Sequence, residues 1–119
     1  LYKETKYLNP VEITQEIVKT LKNDENCDLI ICLSHLGFKH DNLPSKISDV
    51  KLAKATKDID LIIGGHTHTF MKKPVVLDNL ENKKVIINQV GCHGLFLGKI
   101  DFYFDSFKNK MYEGVSIEV

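Results

Sequence analysis

Residues 60–69, Asp-Leu-Ile-Ile-Gly-Gly-His-Thr-His-Thr, constrain the fold more than any other stretch. The apolar run Leu61-Ile62-Ile63 is short, rich in β-branched residues and ends at two glycines. That is the pattern of a buried strand rather than a helix. Gly64 and Gly65 permit a sharp turn, or a close backbone approach that a Cβ would block. His66 and His68 follow at once. In an extended segment, side chains two apart point to the same side, which would aim both imidazoles at one place. Imidazole is the commonest metal ligand and titrates near neutral pH.

A second strand-like run, Leu29-Ile30-Ile31-Cys32-Leu33, leads to His35 and Gly37 in the same relative arrangement. Between the two runs, residues 49–57 carry Val50, Leu52, Ala53 and Ala55 near one face of an expected helix. Strand, helix, strand is the pattern of a β-α-β unit, whose strands are parallel. Parallel strands end on the same sheet edge, and open α/β sheets bind ligands beyond that edge. The topology therefore predicts that His35, His66 and His68 converge, although about thirty residues separate the first from the others.

At 119 residues the chain suits one small domain, or a fragment of one. It begins at Leu1 rather than at a methionine, as a processed or excised piece does, and its first residues are too polar for a signal peptide. No apolar run approaches the roughly 20 residues of a membrane span. Sixteen basic residues balance sixteen acidic ones, so no basic excess points to nucleic acid. Cys27, Cys32 and Cys92 are odd in number and form no Cys-x-x-Cys, which argues against a disulfide framework.

Asn9-Pro10-Val11-Glu12 has the signature of a helix start, with Asn9 as cap, Pro10 in the first turn and Glu12 as a capping-box acid. Val11, Ile13, Ile17, Val18 and Leu21 form its apolar face, and the helix should end near Asn23. Residues 36–47 are a long loop in which His40 reads as a solvated histidine. Ser48 or Asp49 can cap the following helix. Residues 74–78, 84–90, 95–104 and 111–119 all read as strands, and their short connectors predict an antiparallel meander. Gly91-Cys92-His93-Gly94 reads as a glycine-permitted turn, since sequence neighbours on an extended chain face opposite ways.

Several segments match one family in order and spacing: Ser34-His35-Leu36-Gly37, Asp49-Val50-x-Leu52-Ala53, residues 58–69, Gln89-Val90-Gly91 and residues 97–102. Together they resemble the second half of the calcineurin-like metallophosphoesterase domain, most closely its 5'-nucleotidase branch. The resemblance implies a mixed α/β (α+β) fold, with a β-α-β unit followed by antiparallel strands. It would be half of an αββα sandwich, and residues 1–119 would be the C-terminal half of a catalytic domain.

The resemblance also implies a binuclear site. His35 and His66 would bind one divalent ion and His68 the other. Zinc, manganese and iron all suit nitrogen and carboxylate donors. Such ions lie about 3.5–4 Å apart and serve phosphoester hydrolysis, here of a nucleotide or another phosphate ester. An extracytoplasmic location, periplasmic or secreted, is implied as well. The family's first half carries Asp-x-His, Gly-Asp and Gly-Asn-His-Asp/Glu segments, and none of them occurs in this chain. The N-terminal half of the domain is thus an expected partner, and self-association of the exposed sheet is expected in its absence. The competing reading is a non-catalytic metal- or partner-binding fragment.

Overall fold

The computed structural model describes residues 3–119. In chain order the elements are α1 (Pro10–Asn23), β1 (Ile31–Leu33), α2 (Asp49–Ala55), β2 (Leu61–Ile63), β3 (Val75–Asp78), β4 (Lys84–Asn88), β5 (Phe96–Phe104) and β6 (Lys110–Glu118). Helix α1 starts as its sequence predicts. Asn9 accepts the Val11 N–H at 3.0 Å and donates from Nδ2 to Glu12 at 3.2 Å, with Pro10 next to the cap. Helix α2 is capped by Ser48, which accepts from Lys51 N. Asp49 serves a different purpose, described below.

The expected β-α-β unit is present: β1 and β2 are parallel, with Ile31 beside Leu61 and Leu33 beside Ile63. The expected meander is not. β3 and β4 do form an antiparallel hairpin, but β4 lies parallel to β2, giving the order β1-β2-β4-β3. β5 and β6 pair with each other in a separate two-stranded sheet. Strand β4 is buried at Val85, Ile86, Ile87 and Asn88, so it fills the interior position beside β2 rather than extending an edge.

Alternation along the strands divides the first sheet into two faces. Cys32, Ile62 and Ile87 are in register and face the helices, where Val18, Leu52 and Ala53 complete the core. Ile62 and Ile87 are wholly buried there. On the other face lie two rows, Ile31-Leu61-Ile86 and Leu33-Ile63-Asn88. β5 covers part of this face, and a cleft of about 700 Å³ opens between the two sheets, lined by Ile31, Ile63, Asn88, Leu97, Ile100 and Phe104 among others. Leu61 and Ile86 are buried, whereas Leu33 is 79% exposed. Ile17, expected on the apolar face of α1, is exposed, because Val18 is the residue of that turn aimed into the core. Ala55 is exposed at the end of α2 for the same kind of reason. Among the described residues no helix is long and apolar enough to cross a membrane.

Candidate metal centre

Because β1 and β2 are parallel, His35 and His66 emerge at the same edge of the sheet, just past the strands' C-terminal ends. The ladder continues slightly beyond the strands, with Ser34 N donating to Ile63 O and Gly64 N to Asn88 O, each at 2.9 Å. The two rings meet edge to face, with centroids 5.4 Å apart and planes inclined by 66°. Close approach is what the glycines provide here. A Cβ on Gly65 would lie 3.0 Å from His35 Nδ1, and one on Gly64 would lie 2.3 Å from Asp49 Oδ2. Neither glycine has a positive φ.

The positive φ values fall on the histidines themselves, 71° at His66 and 50° at His68. The segment is therefore a tight turn and not an extended strand, so the two-residue alternation expected of it does not apply. A left-handed residue other than glycine costs roughly 1–2 kcal/mol. The surrounding hydrogen bonds hold the turn in place. Gln89, buried at the end of β4, accepts Thr69 N at 2.5 Å and Thr67 Oγ1 at 3.2 Å, and its Nε2 donates to Gly65 O at 2.8 Å. Thr67 Oγ1 also accepts Phe38 N at 2.9 Å, which ties the 36–48 loop to the turn.

That tie brings in His40, for which the loop sequence predicts a solvated position. His40 is half-buried, and its ring centroid lies 6.0 Å from that of His66. Its Nε2 is 2.8 Å from Leu36 O; a carbonyl only accepts, so Nε2 donates. His68 sits two residues along the turn and is exposed, but its ring makes neither of these ring contacts. Partial desolvation, then Lys46 and the neighbouring imidazoles, His68 last among them, hold His66 below the ordinary histidine value. The neutral imidazole, which is the ligating form, is thereby favoured.

This donor set fits a borderline divalent ion as part of a coordination shell. Imidazole nitrogens are present, at the edge where a parallel sheet binds ligands. A complete shell is not assembled: among the described residues no group of three His, Cys, Asp or Glu side chains is gathered closely enough to hold a metal. His93 makes neither of these ring contacts and sits with Cys92 in a turn where Gly91, His93 and Gly94 all have positive φ, as the glycine pattern predicts.

No protein-family profile matches the chain. Individual proteins do. The chain is 42% identical over 94 residues to the trifunctional nucleotide phosphoesterase protein YfkN of Bacillus subtilis, covering 79% of this chain and 6% of that protein. It is 30% identical over 128 residues to an apyrase of Tabanus yao, covering 94% of this chain and 22% of the relative. Its fold superposes on the crystal structure of a 5'-nucleotidase precursor from Thermus thermophilus with a TM-score of 0.78 and 28% identity, covering 93% of this chain and 23% of that one. The chain belongs to the 5'-nucleotidase family. It spans less than a quarter of the length of each of these relatives.

Within this nucleotidase-family chain, the residues that sequence reasoning missed are those acting from beneath or beside the histidines: His40, Lys46, Gln89 and Asp49. In the sequence Asp49 carries only the signal of a possible helix cap. Its burial depends on non-local packing.

Proposed function

We propose that the chain is the C-terminal half of a binuclear, metal-dependent phosphoester hydrolase domain that dephosphorylates nucleotides. The observation that carries this reading is the His35–His66 ring pair at the ends of parallel β1 and β2, in a chain of this family. In the assignment that follows, His35 and His66 hold one ion, and His68, on the same turn, holds the second. Zinc, manganese and iron are the candidates. Bound there, the ions would supply Lewis-acid charge stabilisation and a more acidic bound water for phosphoester hydrolysis. The chain's own residues supply the imidazole of His35 beyond β1 and those of His66 and His68 on a turn pinned by Gln89 and Thr67.

The remaining ligands are carboxylates from the N-terminal half of the domain. That half also covers the open face at Ile31, Leu33 and Ile63 and fills the 700 Å³ cleft. The parent protein works outside the cytoplasm; the Thermus relative is described as a precursor, which accords with that placement. Alone, the chain binds one metal weakly through His35 and His66 and does not turn over.

Phosphate release from AMP and from an aryl phosphate, with added manganese, tests this in the 119-residue chain and in the full-length parent. The parent should hydrolyse AMP, and His66→Ala in it should reduce turnover by about two orders of magnitude or more, the usual loss on removing a charge-stabilising group. Turnover by the chain alone at the parent's rate would overturn the division of the site between two halves.

A further inference from the structure

Asp49 is wholly buried, and it touches all three segments that shape the histidine pair. Its Oδ1 accepts the Ser34 hydroxyl at 2.5 Å. With its proton committed to Asp49, the Ser34 oxygen turns a lone pair to Leu36 N, 3.2 Å away, and so closes a turn around His35. The Asp49 N–H donates to Gly37 O at 2.8 Å, fixing the loop beyond His35. Its Oδ2 lies against Gly64, two residues before His66, where an added Cβ would be 2.3 Å away. Oδ2 has no hydrogen-bond partner among the described residues. Burying a carboxyl oxygen without a partner is costly, and stability alone would favour an apolar side chain in its place.

We infer that Asp49 is a positioning residue: through Ser34 on one side and Gly64 on the other, it sets the relative orientation of the His35 and His66 imidazoles, and so the metal affinity of the pair. The inference rests on the metal reading above for its consequence, but not for its geometry. The route is hydrogen-bond acceptance from Ser34, so an amide should serve where a methyl does not. Partners that orient a ligating histidine typically account for about 10- to 100-fold in metal affinity.

Two measurements on the 119-residue chain separate the geometry from its consequence. The first follows the imidazole ¹H–¹⁵N correlations of His35 and His66 without metal, with His93 as the internal reference. Asp49→Ala and Ser34→Ala should each move the His35 and His66 signals and leave His93 in place, while Asp49→Asn should keep the wild-type pattern. The second titrates cobalt(II) alone and reads its visible absorption bands. Both alanine variants should bind about tenfold or more weakly with altered bands, and Asp49→Asn should restore affinity and spectrum. Should Asp49→Ala fail to fold by far-ultraviolet circular dichroism, Ser34→Ala carries the same test, because it removes the bridge and leaves the buried carboxyl in place. Folded Ser34→Ala with wild-type His35 and His66 signals would overturn the positioning role. Asp49→Asn as impaired as Asp49→Ala would overturn the hydrogen-bond route. Cobalt binding unchanged in His66→Ala would instead overturn the metal reading, with the imidazole signals still deciding the role of Asp49.

Discussion

The four-stranded sheet with its two helices and the β5–β6 hairpin are built on different principles. Every fully buried apolar side chain among the described residues lies between Val18 and Ile87, and none lies in β5 or β6. The hairpin has a complete backbone ladder from Phe96–Glu118 to Phe104–Lys110, yet Leu97 is 59% exposed, and Phe104, Val115 and Ile117 are exposed as well. Polar contacts tie it to the sheet, beside an edge-to-face contact of Phe96 with Phe70. Ser116 N donates to Lys72 O at 3.2 Å and its hydroxyl to Met71 O, Lys110 pairs with Asp60, and Lys108 pairs with Asp28. A two-stranded hairpin is marginal by itself in water. The first region therefore carries its own stability, and the second is ordered by what it leans on.

Core truncation should separate the two regions most clearly. Leu52→Ala removes a side chain that is buried between helix and sheet, and should cost about 2–5 kcal/mol. That is a large part of the 5–15 kcal/mol typical of a small domain. Leu97→Ala in the hairpin should change stability by about 0.5 kcal/mol or less, as exposed substitutions do. Urea denaturation of both variants checks this. Equal losses would mean that the hairpin face is packed in solution, by self-association or otherwise.

The next effect should be confined to the hairpin. A Cβ on Gly114 would lie 2.5 Å from Pro74 Cγ, so β6 can approach β3 closely only with glycine there. Gly114→Val should loosen the docking by about 1–3 kcal/mol, in the range of overpacked contacts. Amide exchange should accelerate at Leu97, Lys99 and Ser116 while Ile62 and Ile87 stay protected. Matching acceleration in β2 and β4 would show one cooperative unit in place of two.

The open face should show itself in assembly. Ile31 and Leu33 on the free edge strand β1, with Ile63 beside Leu33 on β2, form an apolar strip, the kind of surface that promotes association. Sedimentation should find the chain self-associating at high concentration, and Leu33→Lys should shift it towards monomer with little change in unfolding midpoint. A monomeric wild type would mean that the hairpin closes over the strip.

The same contrast explains what the sequence revealed. The β-α-β unit was legible because each strand is a continuous apolar run ended by small or polar residues, and α1 because Asn9, Pro10 and Glu12 mark its start. Convergence of His35 and His66 followed from parallel topology alone. The position of β4 was not legible, since local alternation does not say whether a strand joins its hairpin partner only or also inserts beside β2. His40 was misplaced for a related reason: a threonine hydroxyl 29 residues away pulls its loop back to the site. Of the two candidate caps, Ser48 and Asp49, Ser48 does that work, and the buried role of Asp49 was not legible. Long-range polar contacts, which leave no periodic trace, account for His40 and Asp49, and burial on both faces accounts for β4.

The smallest expected effect is a difference in how the two regions respond to acid. In the sheet, burial raises the Asp49 carboxyl above its ordinary value of 3.8, with Ser34, His40 and His35 opposing. The folded state then holds a proton that the unfolded chain has already released, so the stability linked to Asp49 is fully present below 3.8 and is lost as pH rises through the raised value. At the hairpin the sign is reversed. Asp105 is held below its ordinary value by the Asn109 side chain and by the Asn109 and Phe107 N–H groups, and Asp28 by Lys108. Their contribution is present above the ordinary value and fades as pH falls through the lowered ones. Asp49→Asn removes the first titration and leaves the second. The stability gap between Asp49→Asn and wild type should therefore widen as pH rises from below 3.8 towards neutrality and then level off, because the hairpin carboxylates cancel in the difference. Urea midpoints of the two proteins across that range provide the measurement. A gap that stays constant, or narrows with rising pH, would mean that the buried carboxyl is ionised at no net cost, with a partner for Oδ2 that offsets its desolvation.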